Sequence, residues 1–186
     1  MGKKMGVYIG HSGDDWSIDP RFTSGSEDCH KLGYQARKWS CIAGRISYVL
    51  GLKGPQALLD TACSSALVAY GVGHTALRRD TAWACGQNSD VTEALMGGAN
   101  MIPGPGNYVN LCGPHMLSIN GRCFTFDMSA DGFERGEGSS CFLAKSEEVV
   151  PRDALATVIG ACLNQDGRCD TVNRWLYILV HFDAFS

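Results

Sequence analysis

The segment Asp60-Thr-Ala-Cys-Ser-Ser-Ala-Leu67 contains the strongest candidate for chemistry in this chain. A short apolar stretch precedes it and an alanine-rich helical stretch follows it, so Cys63 is expected on a tight turn of the nucleophile-elbow type. Backbone N–H groups at the start of that helix would stabilise a thiolate. The small neighbours Ala62 and Ser64 leave room for a substrate. The alternative is that Cys63 is a buried core cysteine and Ser64 an ordinary N-cap.

The elements that would position Cys63 alternate between strands and helices. A strand over residues 56–60 leads to the turn, and a helix over residues 64–79 leaves it. A second helix is predicted over about residues 34–50, ended by Gly51. Further strands are predicted over residues 5–9, 94–102, 139–144 and 156–161, with loops at 11–31 and 103–122 and an exposed excursion at 82–90. This alternation predicts an α/β layered fold, in which Gly97 and Gly98 let a strand approach the helix after Cys63 closely.

Composition excludes several classes of protein. The 186 residues have a formal charge of −3, which lacks the basic footprint of nucleic-acid binding. The C-terminal apolar run Trp175–Val180 is far shorter than the ~20 residues that span a bilayer. No apolar segment follows the basic N-terminus, so no signal peptide is recognised. The sequence therefore predicts an intracellular, cytoplasmic location with no nucleic-acid partner and no membrane span.

The nine cysteines form no Cys-x-x-Cys pair and no paired metal spacing, so no metal site is predicted. Most of them are interpreted as small buried hydrophobic residues, because free cysteine is among the most buried residue types. The histidines also lie at no metal spacing, and none is assigned as a catalytic base; they are His11, His30, His74, His115 and His181.

Other short motifs favour structural roles. Gly10-His-Ser-Gly13 lacks the full serine-hydrolase elbow, and the glycine-rich run from Gly132 to Gly138 lacks the Gly-Lys-Ser/Thr of a phosphate loop. The charged residues in and beside that run are expected to fix a turn; they are Asp131, Glu134, Arg135 and Glu137.

The segment around Cys63 resembles the nucleophile signature of β-ketoacyl synthases, and the resemblance covers residues 5 to 167. Other segments match that family in order and spacing: Gly6-Val-Tyr-Ile-Gly10, Ala43-Gly-Arg-Ile-Ser-Tyr48, Gly51-Leu-Lys-Gly-Pro55, Leu95-Met-Gly-Gly-Ala-Asn100, Gly121-Arg-Cys-Phe-Thr-Phe-Asp127, Ala130-Asp-Gly-Phe-Glu-Arg-Gly-Glu-Gly138 and Asn164-Gln-Asp-Gly167. The pattern is most similar to ketosynthase domains of type I polyketide synthases. The resemblance implies a thiolase-like α-β-α fold, of which this chain is part of the N-terminal half.

The resemblance also implies an acyltransferase activity. Cys63 would hold an acyl chain as a thioester, and a malonyl-type thioester would lose carbon dioxide and attack it in a Claisen condensation. The substrates would arrive on the phosphopantetheine arm of an acyl carrier protein, with no bound cofactor and no metal. The family works as a homodimer joined near residues 56–60.

The chain departs from the family pattern in two respects. It contains neither the His-Gly-Thr-Gly-Thr nor the Lys-Ser-Asn-x-Gly-His motif that supplies the catalytic histidines. Residues 1–167 are interpreted as a partial ketosynthase domain, and residues 168–186 as a divergent tail outside the pattern. The chain alone is therefore expected to be inactive in condensation. Two alternatives stay open, namely another thiolase-like acyltransferase, or a non-catalytic remnant or interaction subunit.

Overall fold

A computed structural model of the chain describes residues 2–13, 39–78, 91–146, 153–164 and 177–184. The chain divides into two compact units. The first comprises Met1–Ser12, Ser40–Ala99 and Ser139–Ser186, and the second comprises Gly13–Trp39 and Asn100–Gly138. The predicted loop beyond residue 13 with its His30, the helical residues 34–38, the excursion at 82–90 and residues 165–167 lie outside the described residues.

The first unit is built on a four-stranded sheet. Its strands are β1 (Gly6–Gly10), β2 (Gln56–Leu59), β3 (Glu93–Asn100) and β4 (Gly138–Lys145), in the spatial order β2-β1-β3-β4. β1 runs parallel to both β2 and β3, with Gly10 opposite Leu59 on one side and Gly98 on the other. Because the carboxyl ends of parallel strands meet at one edge, the turns after β1, β2 and β3 share that edge.

Two helices cover opposite faces of the sheet. Tyr8 and Met96 pack with Ala69 and Tyr70 of α2 (Ser65–Leu77), whereas Val7 and Ile9 pack with residues of α1 (Ile42–Leu50). Alternate residues of β1 therefore face different helices, as the two-residue period of a strand requires. This arrangement confirms the predicted α/β layered fold.

Glycine ends α1 where the sequence predicts it. Gly51 has a φ of 65°, a left-handed conformation that suits glycine, and its N–H reaches the carbonyl oxygens of Ser47 and Tyr48. The N–H of Leu52 also donates to the Ser47 carbonyl at 2.8 Å. These bonds satisfy the last carbonyls of the helix and direct the chain into β2.

A hairpin completes the first unit. β5 (Ala156–Asn164) pairs antiparallel with β6 (Tyr177–Ala184) from Ala156 opposite Ala184 to Asn164 opposite Tyr177, with an irregularity near Gly160. β6 lies within residues 168–186, where the sequence predicts a divergent tail and no strand.

The second unit contains a short helix, α3 (Gly106–Cys112), and an irregular segment that follows it. The sequence predicts an irregular loop over residues 103–122, and α3 lies within it. Pro105 occupies the N-cap position, and its carbonyl accepts the Val109 N–H at 3.2 Å, which begins the helix. Leu117 forms an isolated parallel bridge with Phe133, which brings the ends of the irregular segment together.

Candidate active site

Cys63 lies exposed on the turn between β2 and α2, as the sequence predicts. The residue before it, Ala62, has a φ of 58°, a left-handed conformation that costs an alanine about 1–2 kcal/mol. The strain of the turn therefore falls on the residue immediately before the thiol. The interpretation of Cys63 as a buried core cysteine is wrong.

Side-chain hydrogen bonds hold this strained turn. The hydroxyl of Ser65 accepts from the Thr61 N–H at 2.8 Å and donates to the Ala62 carbonyl at 2.6 Å. The carboxylate of Asp60 accepts from the Ala62 N–H at 3.0 Å. Because these bonds join both sides of Ala62, they offset the cost of its conformation.

Ser64 occupies the N-cap position of α2 without capping the helix through its side chain. Its hydroxyl lies 2.8 Å from the Thr61 carbonyl oxygen and 2.9 Å from Thr61 Oγ1, so it bonds back to the turn. Its backbone carbonyl accepts the N–H of Val68 at 3.0 Å and begins the helical ladder. Ser64 therefore stabilises the turn that presents the thiol, and the interpretation of its side chain as an ordinary N-cap is wrong.

Two glycines of neighbouring strands support the start of α2. A Cβ added at Gly10 would overlap the carbonyl group of Ser65, and one added at Gly98 would lie 2.6 Å from the Ala66 Cβ. Gly10 and Gly98 are register partners in β1 and β3. They form a flat surface against which the first turn of α2 lies, and we call this pair the glycine shelf.

Gly97 has a different role from the one predicted. A Cβ added there would overlap the backbone of Ser140 in β4 and lie 2.8 Å from the Cα of Cys141. Gly97 therefore allows β3 and β4 to approach each other, and of these two adjacent glycines it is Gly98 that supports the helix that follows Cys63.

The histidines whose side chains are described lie in three different settings. His11 follows β1 directly, and its ring Nδ1 is 3.0 Å from the Ala99 carbonyl oxygen. His74 lies about 13 Å along α2 from its first residue, which is too far for direct proton transfer with Cys63. Burial lowers the pKa of His74, and the positive charge of Arg78 lowers it further. His115 is exposed in the second unit with a φ of 57°.

The charged residues near Gly132–Gly138 fix turns of the second unit, as predicted. Glu137 accepts the Ile102 N–H at 2.6 Å, and Arg135 lies 5.2 Å from the centre of the Tyr108 ring. Asp131 accepts from Asn120 Nδ2 at 3.0 Å, and hydrogen bonds led by that from the Ser118 hydroxyl lower the pKa of Asp131.

The prediction that most cysteines are buried is wrong for the described ones. Cys63, Cys112, Cys123, Cys141 and Cys162 are exposed, and Cys41 is half-buried. Cys141 and Cys162 lie on β4 and β5, whose residues are mostly exposed.

Metal-binding clusters and membrane-spanning helices are both absent from the described part of the chain. Within it, no three histidine, cysteine, aspartate or glutamate side chains are grouped so that they could hold a metal ion. The helices described here include none with the length and apolarity needed to cross a membrane.

Comparison with known proteins identifies one family. Residues 1–149 match the model of the β-ketoacyl synthase N-terminal domain. The chain is 33% identical over 170 residues to the highly reducing polyketide synthase dmxL2 of a Cryptosporiopsis species, covering 90% of this chain. It is 32% identical over 173 residues to polyketide synthase PksL of Bacillus subtilis, covering 91% of this chain. The matched parts are 7% and 4% of those two proteins.

The chain is also similar to solved structures of ketosynthases. The ketosynthase from module 6 of the bacillaene synthase of Bacillus subtilis matches with a TM-score of 0.65 and 31% identity, covering 92% of this chain and 27% of that one. An oxazolomycin ketosynthase domain of Streptomyces albus matches with a TM-score of 0.71 and 28% identity, covering 88% and 27%. The chain thus spans about a quarter of the ketosynthase chains that it resembles.

Proposed function

Because the chain belongs to the β-ketoacyl synthase family, whose N-terminal domain it matches, we propose that Cys63 accepts an acyl group as a thioester. The observation that supports this most directly is the exposure of Cys63 on a strained turn at the start of α2. A nucleophile needs both access to substrate and a fixed direction of attack. The turn provides both.

The proposed reaction is transfer between two sulfur atoms. The Cys63 thiolate attacks the carbonyl carbon of an acyl thioester, a new S–C bond forms, and the carbonyl oxygen takes the negative charge. Collapse of this intermediate breaks the original C–S bond and releases the carrier thiolate, which takes up a proton from solvent. Backbone N–H groups at the start of α2 are suited to stabilise the oxyanion.

The proposed substrates are acyl and malonyl thioesters on the phosphopantetheine arm of an acyl carrier protein, as the family resemblance implies. In the complete domain, the malonyl group would lose carbon dioxide and attack the acyl group on Cys63. The chemistry depends on a free thiol, so we assign it to a reducing, intracellular compartment. Residues 1–167 would form the ketosynthase part, with residues 168–186 as an appended segment.

We also propose that complete domains pair through β2. This strand is at the edge of the described sheet, beside β1 alone. An edge strand offers unpaired backbone groups to a second chain. Pairing there would bring two Cys63 turns near one interface.

Limiting iodoacetamide and an acyl thioester of a small thiol test the nucleophile. Peptide mass spectrometry of the folded 186-residue chain should show that Cys63 is modified first, ahead of Cys123 and Cys162, which are also exposed. Cys63→Ser should abolish acylation, and Cys162→Ser should not. Preferential modification of Cys162 would contradict the proposal.

A turnover assay tests condensation by the same chain. The two histidine motifs of the family are absent from this sequence, and loss of a general acid or base costs about 10²–10⁴-fold in rate. We therefore expect slow acylation of Cys63 and no β-ketoacyl product from malonyl carrier protein. Sustained product formation that Cys63→Ala abolishes would show that the missing motifs are dispensable or that another group of this chain, such as His11, replaces them.

A further inference from the structure

His11 joins the ends of three strands at the edge of the sheet that carries Cys63. Its backbone N–H donates to the Leu59 carbonyl at the end of β2, at 3.0 Å. Its ring Nδ1 lies 3.0 Å from the carbonyl oxygen of Ala99 in β3. A carbonyl oxygen only accepts, so Nδ1 carries the hydrogen of this bond. His11 itself continues from Gly10, the last residue of β1.

Each of these contacts reaches a part of the chain that supports the thiol. Leu59 directly precedes Asp60, whose carboxylate holds the Ala62 N–H. Ala99 directly follows Gly98, which together with Gly10 forms the glycine shelf under α2. His11 therefore connects the entrance of the strained turn to the surface on which the following helix lies.

We propose that His11 is a positioning residue for Cys63, and that the hydrogen bond from its Nδ1 to Ala99 holds the turn between β2 and α2 in its reactive geometry. This inference rests on the proposed role of Cys63 as the nucleophile. It assigns His11 no contact with substrate and no proton transfer. The proposal requires a hydrogen-bond donor at the position of Nδ1 and nothing else of the ring. Substitutions that place a donor at that position, or away from it, therefore test the proposal.

Two amide substitutions separate the positions of the ring nitrogens. In His11→Asn the side-chain N–H₂ can occupy the place of Nδ1 and donate to Ala99. In His11→Gln the amide reaches the place of Nε2 instead. The backbone bond to Leu59 remains in both variants, as it does in His11→Leu, which removes the side-chain donor altogether.

The readout is the rate of Cys63 alkylation by iodoacetamide, with Cys162 in the same sample as the internal reference. His11→Asn should stay within about twofold of the parent, whereas His11→Gln and His11→Leu should lose about fivefold, the effect of one typical hydrogen bond. Hydrogen exchange of residues 60–66 should follow the same order. Exchange in β5 and β6 should not change.

Equal rates in the asparagine and glutamine variants would overturn the proposal. If both match the parent, the ring has no part in positioning. If both fall alike, the imidazole is needed for another reason, such as acting as a base. If both fail to fold, the imidazole is needed for the fold as a whole and not for the turn alone. Failure of the proposed function gives a different result. In that case Cys63 of the parent chain would not react ahead of Cys162, although the exchange order of the variants could still be read.

Discussion

Adding one carbon atom to the glycine shelf tests whether the helix after Cys63 lies where the structure places it. In Gly98→Ala the new Cβ would lie 2.6 Å from the Ala66 Cβ, whereas non-bonded carbons rest about 3.5–4.0 Å apart. The strand or the start of α2 must therefore move by about 1 Å. Overpacking of this kind costs about 1–3 kcal/mol.

Gly160→Ala is the matched control. Gly160 also lies in a strand, and a Cβ added there meets no atom within 4 Å. Both substitutions remove backbone freedom from the unfolded chain, which favours folding by about 0.4–1 kcal/mol where the native backbone is compatible. This gain is common to the two variants, so their difference in the free energy of unfolding isolates the clash of about 1–3 kcal/mol.

Thermal unfolding followed by circular dichroism measures that difference. For a chain of this size, 1 kcal/mol corresponds to about 2–4 °C, so Gly98→Ala should melt about 2–12 °C below Gly160→Ala. Gly98→Val should melt lower still, because its larger side chain meets the same helix. Equal melting temperatures for Gly98→Ala and Gly160→Ala would show that β3 does not support α2 at this point.

Two further predictions concern the turn and the pH dependence of folding. Ser65→Ala should destabilise the chain by about 1–3 kcal/mol in urea titrations, because it leaves the Thr61 N–H without its acceptor. Ser64→Ala should cost less, because no backbone N–H of the described residues relies on the Ser64 hydroxyl as its acceptor. The pKa of His74 is lowered below its ordinary 6.5 by burial and by Arg78, so the folded chain binds a proton less readily than the unfolded one. His74 therefore contributes stability that is present above pH 6.5 and is lost as the pH falls through its folded pKa. In His74→Gln the free energy of unfolding should depend less on pH over that acidic range. An unchanged pH dependence would refute this assignment.

Elements with local signals could be predicted from the sequence. Gly51 ends α1 because only a left-handed residue allows the last carbonyls to be satisfied, and glycine adopts that conformation freely. The predicted bounds of β2 and α2 lie within two residues of the observed ones, because Cys63 is flanked by an apolar run and an alanine-rich one. In each case, the signal that predicts the element lies within the element or directly beside it in sequence.

Elements that depend on a pairing partner are not predicted by their own local pattern. β6 forms by antiparallel pairing with β5, and its residues alone give a short apolar run that fits several structures. Its aromatic and β-branched residues Tyr177, Ile178 and Val180 are the available signal. α3 lies inside the predicted loop over residues 103–122, because Pro105 and Gly106 are typical of turns, whereas the helix is established by bonds such as that from the Val109 N–H to the Pro105 carbonyl.

Some features of the candidate site could likewise be predicted from local sequence, and others depend on the fold. The proposal of Cys63 as the nucleophile follows from residue types within one segment, whereas the strain at Ala62 depends on which side-chain oxygens reach the turn. The two adjacent glycines of β3 show why spacing alone is insufficient. Successive residues of a strand face opposite directions, so Gly98 lies on the face of the sheet that α2 covers and Gly97 does not; a Cβ at Gly97 would instead meet the neighbouring strand β4. Only the paired sheet shows which glycine supports the thiol.

The interactions that fix Cys63 come from residues 10–11, 59–66 and 98–99, all within the first unit. Presentation of the thiol is therefore a property of the sheet edge and of the first turn of α2. Condensation also needs proton-handling groups, which the family supplies from motifs absent in this sequence. Because presentation of the thiol and proton transfer depend on different residues, substitutions at the sheet edge should change how fast Cys63 is acylated. The family's histidine motifs would decide what the acylated cysteine can do next.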